Sequence, residues 1–305
     1  MLTALAALSA LSLWLWTPDL PRAPLEQRYL AAESDMIEVG VWRLHVRDSG
    51  TPPAHPRAPP VLMLHGFGSS LHTWDAWAEE LAPRHRVIRV DLPGSGLSPP
   101  DPTDNYSDTR TLELLITLLD QLGVERISVI GHSMGGRIAW TLAARYPARM
   151  HKLVLVAPDG FASPPFDYGQ AVDVPAVLAL MRYVLPRSVL KMNLKAAYAK
   201  PEALSEERLS RYHDLIRAPG ARDAMLARLR QTVLVPPQPL LRQIQAPTLL
   251  LWGELDGVIP ITNAGDYLQA IPHSRLARLA DVGHVPQEEA AQSTLLLLQE
   301  FLQQE

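Results

Sequence analysis

The sequence contains no cysteine among its 305 residues. Without a thiol there can be no disulfide framework, no thiolate zinc site and no cysteine nucleophile. An excess of basic charge is also lacking, because 28 lysine and arginine residues face 32 aspartate and glutamate residues, which gives a net charge of −4. No long run of lysine or arginine appears, so the sequence predicts no nucleic-acid partner.

Charge is absent altogether from Leu2–Trp16, a stretch of 15 residues that ends before Pro18. As a helix it would reach about 22 Å, which is short of the ~30 Å hydrocarbon layer of a membrane. We expect residues 2–16 to bind a membrane surface without crossing it alone. The alternative is self-association, in which the segment packs on a second subunit, or packing on its own domain.

The positive charges nearest this segment follow it. The first basic residue is Arg22, so the cationic start of a secretory signal is missing and a cleaved signal is disfavoured. Arg22 and Arg28 would keep the following chain on the cytoplasmic side of a membrane. We therefore expect a membrane-associated protein whose catalytic domain is cytoplasmic.

From residue 34 onward, short apolar runs alternate with helical segments. Met36–Val39 and Trp42–Val46 alternate in the manner of an antiparallel edge hairpin. The later runs are apolar throughout, as strands are when both faces are covered; they lie at 61–64, 87–90, 127–130, 153–156 and 248–252. The pattern predicts an α/β fold with a doubly wound, mostly parallel sheet.

The series of apolar strand segments stops after Asp159 and resumes near Ala246. Between these two positions lie helical segments that are interrupted by prolines. This predicts three parts: an N-terminal helix and linker at 1–33, a core at 34–159 and 240–305, and an inserted helical cap at 160–239. The cap stretch 174–181 is apolar, and we expect it to suit an apolar acyl group or to pack the cap on the core.

The motif G-H-S-M-G at 131–135 follows an apolar strand and opens a helix. This is the context of a nucleophile elbow, in which a tight turn presents Ser133 above the sheet. A serine hydroxyl needs a base to remove its proton. Ser133 also stands where a serine caps a helix, and we expect it to cap here as well.

Histidine 284 is the predicted base, because it follows a strand candidate at 275–279 and precedes the last helix. Its loop therefore lies at the carboxyl edge of the sheet, as Ser133 does. Three other histidines are less suitable. His132 is expected to point away from the elbow, His65 belongs to another loop, and His213 lies in the insertion.

Asp256 is the leading candidate for the acid that orients the imidazole, since it follows a strand at 248–252. The chain order Ser133, Asp256, His284 is the order of this kind of triad. Glu254 and Asp159 remain alternatives. Asp159 follows the preceding strand and is the second choice.

Two backbone amides are candidates to stabilise a tetrahedral oxyanion. The amide of Met134 follows the nucleophile at a helix N-terminus, where orphan N–H groups favour negative charge. The amide of Phe67 lies in H-G-F-G at 65–68, where glycines let the backbone approach a ligand. The alternative, a plain glycine turn, is disfavoured by the other motifs in the chain.

The chain resembles the α/β-hydrolase family from about Met36 to Glu300. H-G-F-G at 65–68 is similar to the oxyanion loop of that family, D-L-P-G-S-G-L-S at 91–98 to its D-x-P-G-x-G-x-S turn, and G-H-S-M-G-G at 131–136 to its elbow. The insertion then corresponds to the cap that shapes acyl specificity in relatives. The resemblance implies a serine esterase or lipase-like enzyme with a small-molecule ester substrate.

Other branches of the family differ at the site. Dehalogenases and epoxide hydrolases carry aspartate in place of Ser133. Carbon–carbon bond hydrolases commonly have asparagine before the serine and tryptophan after the histidine, where this chain has His132 and Val285. Cofactor-free haloperoxidase-like members, non-catalytic ligand-binding members and a membrane-bound interaction protein remain alternatives. No cofactor and no metal are expected, because the sequence has no clustered ligand set and no phosphate-cradling loop.

Overall fold

The computed structural model describes residues 15–162, 167–171 and 173–304. Its centre is a sheet of eight strands. These are β1 (Met36–Val39), β2 (Trp42–Asp48), β3 (Val61–Leu64), β4 (Val87–Val90), β5 (Ile127–His132), β6 (Met150–Val156), β7 (Thr248–Gly253) and β8 (Ser274–Leu279). Their order across the sheet is β1-β2-β4-β3-β5-β6-β7-β8.

The sheet is antiparallel only at one edge. Strand β1 pairs antiparallel with β2, and β2 pairs antiparallel with β4, while all other neighbours run parallel. The central strands β3 and β5 are buried along their whole length because helices cover both faces. The predicted edge hairpin and the doubly wound, mostly parallel sheet are confirmed.

Twelve α-helices lie wholly within the described part of the chain. They are α1 (Arg22–Tyr29), α2 (Asp75–Leu81), α3 (Asp108–Gln121), α4 (Met134–Arg145), α5 (Ala176–Ala179), α6 (Arg187–Lys195), α7 (Glu206–Ile216), α8 (Ala221–Gln231), α9 (Gln238–Leu241), α10 (Asn263–Ala270), α11 (Pro286–Glu289) and α12 (Ala291–Gln303). Two apolar clusters fill the spaces between the sheet and these helices, one on each face.

The N-terminal part contains a helix that the apolar pattern did not predict. Helix α1 buries Leu25 and Tyr29 against Leu97 of the core and Leu215 of α7. Most of the predicted membrane-binding segment, residues 1–14, lies outside the described residues. None of the helices within the described ranges combines the length and the apolar character needed to cross a membrane.

Helices α5 to α8 occupy the chain between β6 and β7. Helix α9 packs Leu241 into the core beside α4 and spans the predicted boundary at residue 240. The apolar stretch in this insertion differs from expectation, because Val177, Leu178 and Leu180 are exposed. They neither line a closed acyl pocket nor pack on the core, since α5 and the turn after it lie at the surface.

Asp91 at the end of β4 holds together the loops around the carboxyl edge of the sheet. Its Oδ2 accepts hydrogen bonds from His45 Nδ1 (2.7 Å) and the Leu97 amide (2.9 Å), and its Oδ1 accepts from the Leu71 amide (2.6 Å). Burial alone would raise the pKa of this carboxyl group, but the contact with His45 lowers it from 3.8 to about 2. Its stabilising effect is therefore present above pH 4 and is lost as the pH falls towards 2.

Replacing Asp91 with asparagine is expected to lower the free energy of unfolding by about 3 kcal/mol. The amide NH₂ group would face one of the N–H donors that the carboxylate now accepts. Urea denaturation measures the change, and Asp48→Asn at the surface pair with Arg86 is the matched control, expected to cost less than about 1 kcal/mol. Equal losses in the two variants would contradict this role for Asp91.

Candidate active site

Ser133 stands at the turn between β5 and α4 in an uncommon backbone conformation. Its φ is 53° and its ψ is −119°, a region that costs a non-glycine residue of order 1–3 kcal/mol. Hydrogen bonds hold the turn in place. The Ser133 amide donates to the Val156 carbonyl (3.0 Å), and the Ser133 carbonyl accepts from the Asp159 amide (3.0 Å). The serine is thereby presented at the carboxyl edge of the sheet.

The glycines around Ser133 are required by close packing. A side chain at Gly131 would overlap the Gly135 carbonyl, and one at Gly135 would overlap the Leu64 carbonyl. Strand β5, helix α4 and the end of β3 therefore approach one another more closely than any larger residue allows. This is the tight turn that the G-H-S-M-G motif predicts.

The expectation that Ser133 also caps its helix is wrong. The side chain makes no capping hydrogen bond to the first turn of α4. A capping residue has an extended backbone that aims its oxygen at the following amides, whereas the backbone of Ser133 is in a different region. Its hydroxyl is consequently not engaged by the helix.

His284 and Asp256 are joined by a hydrogen bond in the buried loops after β8 and β7. The distance from His284 Nδ1 to Asp256 Oδ2 is 2.8 Å. The other carboxylate oxygen, Oδ1, accepts from the amides of Val258 (2.8 Å) and Ile259 (2.9 Å). Because a carboxylate accepts hydrogen bonds, His284 Nδ1 is the donor in this bond, and in a neutral imidazole the lone pair is then on Nε2.

The structure brings His284 to the serine turn. The rings of His284 and His132, the residue before Ser133, have centroids 4.7 Å apart. Within the described ranges, the hydrogen bond of the His284 ring is the one from Nδ1 to Asp256, and none joins this ring to the Ser133 hydroxyl. Catalytic hydrogen bonds are often long in unliganded structures and shorten when a substrate binds.

The sequence analysis expected His132 to point away from the serine turn, and this expectation is wrong. Its Nε2 donates to the His284 carbonyl oxygen (2.8 Å), and its ring is fully enclosed. Burial, and secondarily the nearby His284, lowers the pKa of His132 well below 6.5, so it is neutral. Side chains alternate along β5, so His132 lies on the same face of the strand as Ile130, which packs against α12. This alternation could have predicted the position of His132 from the sequence.

The loop at 65–68 lies directly against the serine turn. A side-chain carbon at Gly66 would be 2.8 Å from His132 Nδ1 and 3.2 Å from Ser133 Cβ. His65 braces the loop, because its Nε2 accepts from the Leu92 amide (3.1 Å) and its Nδ1 lies 2.8 Å from the Gly66 carbonyl. Burial lowers the pKa of His65, which keeps the ring neutral in this role.

The two predicted oxyanion donors flank Ser133. Met134 is the first residue of α4, where its amide has no partner within the helix. Phe67 follows Gly66, and its side chain is partly exposed. In the part of the chain that the structure describes, neither amide donates to a protein acceptor. Both N–H groups are therefore available to a bound oxygen.

The rival residues have other partners. Asp159 pairs with Arg137 Nε (3.0 Å), and Glu254 pairs at the surface with Arg278 Nε (2.9 Å). His213 Nε2 lies 3.0 Å from the carbonyl oxygen of residue 185, far along the insertion. None of these three side chains is hydrogen-bonded to Ser133 or His284.

Hydrogen bonds join the insertion to the loop that carries His284. The His284 amide donates to the Ala197 carbonyl (2.7 Å). Glu289 accepts from the amides of Gly283 (2.8 Å), Ala199 (3.2 Å) and Lys200 (2.6 Å). One main-chain hydrogen bond and the Glu289 carboxylate thus bind the segment after α6 to the His284 loop, which the sequence analysis did not predict.

The sequence analysis also did not predict a second buried carboxylate, that of Glu288. It accepts from the hydroxyls of Thr73 (2.6 Å), Tyr212 (2.8 Å) and Tyr198 (2.5 Å). Burial and then the negative Glu288 raise the pKa of both tyrosines, so the hydroxyls remain donors. Glu288 therefore ties the insertion to the core beside the 65–68 loop.

A small cavity lies next to this cluster. Its lining is mixed and includes polar or charged Ser69, Arg211, Tyr212 and Glu288 as well as apolar Ile216 and Met225. It adjoins the 65–68 loop at Gly68 but does not reach Ser133 or His284. Among the described residues, no group of three histidine, aspartate or glutamate side chains is arranged to hold a metal ion.

Known proteins share this architecture. A bacterial membrane phospholipase A superposes with a TM-score of 0.74 at 25% identity, covering 99% of this chain and 96% of its own. A poly(3-hydroxyalkanoate) depolymerase of Ectopseudomonas oleovorans is 31% identical over 83% of this chain and 87% of its own length. A 2-hydroxy-6-oxononadienedioate/2-hydroxy-6-oxononatrienedioate hydrolase of Pseudomonas putida is 29% identical over 86% and 92%.

The family model of the alpha/beta hydrolase fold matches residues 59–291. That range contains the 65–68 loop, the serine turn and the loops that carry Asp256 and His284. The match covers well over half of the chain and agrees with the strand order of the sheet. The chain therefore belongs to the α/β-hydrolase family.

Proposed function

We propose that this protein is a serine ester hydrolase that acts on apolar, aliphatic or lipid-like esters. The observation that carries the proposal is the hydrogen bond between His284 and Asp256 beside the strained turn of Ser133. A serine in a strained turn at a strand end, beside a histidine that an aspartate already orients, is an arrangement suited to nucleophilic catalysis. Membership of a family of hydrolases supports the proposal.

In the proposed acylation step, Ser133 Oγ attacks the ester carbonyl carbon while His284 Nε2 takes its proton. The amides of Phe67 and Met134 stabilise the resulting oxyanion. His284 then gives the proton to the departing alcohol, which leaves an acyl group on Ser133. Asp256 keeps the imidazole oriented and stabilises its cationic form during both transfers.

Deacylation repeats the same steps with water as the nucleophile. His284 removes a proton from the water, and the acid product leaves when Ser133 recovers its proton. The helices of residues 160–239, which we propose to be the cap, are fastened to the His284 loop through Ala197 and Glu289. We infer that the cap limits the access of water and shapes the space for the acyl chain.

The names of two similar proteins support an apolar substrate. The similar proteins include one named a depolymerase of a polyester and one named a membrane phospholipase A. We also propose that residues 2–16 bind the protein to a membrane surface, with the catalytic part on the cytoplasmic side.

Purified protein is expected to hydrolyse p-nitrophenyl esters, with kcat/KM rising from acetate towards acyl chains of medium length. The physical reason is that each buried methylene adds about 0.8 kcal/mol to binding in an apolar site. The panel should include a ring-cleavage product of the type cleaved by carbon–carbon bond hydrolases, because the relative from Pseudomonas putida favours that alternative. Cleavage of that compound without ester turnover would contradict the proposal.

A further inference from the structure

An exposed apolar patch lies where the N-terminal segment joins the described chain. Five residues form it, with exposed fractions of 53% for Trp16, 73% for Val177, 42% for Leu178, 54% for Leu180 and 50% for Tyr183. The rings of Trp16 and Tyr183 stack with centroids 5.5 Å apart. Four of the five lie within residues 177–183 and the fifth stacks on one of them, and apolar residues grouped in this way mark an interaction site more often than scattered single residues do.

The patch is held rigidly to the start of the described chain. The Thr17 amide donates to the Tyr183 carbonyl (2.7 Å). The guanidinium of Arg222, which is 3% exposed, donates to the carbonyls of Thr17 (2.7 Å) and Met181 (3.1 Å) and to Asp19 (2.5 Å). The apolar patch therefore forms one unit with the point where residues 1–14 join the chain.

The length of the preceding segment restricts where this unit can lie. If the uncharged stretch Leu2–Trp16 formed a helix, it would reach about 22 Å, less than the ~30 Å hydrocarbon layer. A segment that enters a bilayer over so short a length brings the surface around its end to the headgroup region. Tryptophan and tyrosine favour that region, because each has an apolar ring and a polar group that seeks water.

We propose that Trp16, Val177, Leu178, Leu180 and Tyr183 form a lipid-contact surface that docks the insertion on a phospholipid bilayer. This rests on the membrane-surface binding proposed above and assigns the rest of the contact to the insertion. A second copy of the chain suits the patch less well, because five residues are far fewer than the roughly 20–30 residues a side of a stable dimer. Within the patch, Arg182 is paired with Asp223 (2.6 Å), so apolar contact rather than anionic lipid provides the attraction.

The test is sedimentation of the full-length protein with phosphatidylcholine vesicles at low and high salt. The double variant Val177→Ser, Leu180→Ser is expected to lower the vesicle partition coefficient about tenfold or more, since two apolar side chains lose contact with lipid. The matched control is Leu296→Ser on α12, where an equally exposed apolar residue lies outside the patch. Partitioning of the control and of the unmodified protein should hardly change with salt.

Three results would overturn the proposal. The double variant and the control could partition equally, or the unmodified protein could fail to sediment with vesicles. In the third, the double variant loses a dimer in buffer without any effect on lipid binding. Turnover of p-nitrophenyl acetate, measured in parallel, should be unchanged in both variants. Sedimentation needs no catalysis, so the absence of ester hydrolysis would count against the proposed function and leave the result on lipid binding readable.

Discussion

Ser133→Ala is expected to lower kcat for ester hydrolysis by about 10⁵- to 10⁶-fold and to leave the fold intact. The loss is large because the remaining groups can bind the ester and stabilise an oxyanion but cannot form an acyl-enzyme. Stability should hardly change, since the Ser133 side chain makes no capping hydrogen bond. Steady-state kinetics and thermal unfolding measure the two effects.

The matched control is Ser293→Ala, in which an exposed hydroxyl that bonds only to the Ala290 carbonyl is removed. That variant should retain activity within about twofold of the parent, as surface substitutions usually do. Residual activity of Ser133→Ala within about tenfold of the parent would show that another group is the nucleophile.

Asp256→Asn is expected to lower kcat by about 10⁴-fold, because an amide in place of the carboxylate favours the wrong tautomer of His284. The amides of Val258 and Ile259 would still contact the side-chain oxygen of asparagine, so the loop should keep its shape. Kinetics of the variant at saturating p-nitrophenyl ester measure the effect on kcat.

Asp159→Asn and Glu254→Gln are the controls for this assignment. Glu254 pairs with Arg278 at the surface, and its loss should leave kcat nearly unchanged. Asp159 pairs with the buried Arg137, so its replacement should reduce stability more than turnover. A larger loss of kcat in Asp159→Asn than in Asp256→Asn would place the acid on the preceding strand.

The sheet could be predicted because its signal is local. The runs at 61–64 and 127–130 are apolar throughout, and the rule that parallel strands share a carboxyl edge then brings Ser133, Asp256 and His284 to one side of the sheet. The choice of Asp256 over Asp159 needed the structure. Both residues follow strands, and they differ in the partners that the fold brings to them, His284 for Asp256 and Arg137 for Asp159.

The features that were missed depend on distant parts of the chain. Glu288 and Tyr198 are 90 positions apart in the sequence, and no periodicity or turn motif links them. The exposure of Leu180 was missed for a similar reason, since an apolar run in an insertion has the same pattern whether it faces a core or a surface. The failure of Ser133 to cap α4 follows from its backbone angles, which a sequence motif does not specify.

The proposed nucleophile, Ser133 of a Ser133, His284 and Asp256 triad, can be tested by covalent labelling with a p-nitrophenyl alkylphosphonate. Mass spectrometry of the intact protein and of its peptides then locates the label. We expect one adduct per chain, located on Ser133, absent from Ser133→Ala and formed far more slowly in Asp256→Asn. An adduct on another residue, or labelling that persists in Ser133→Ala, would contradict this assignment.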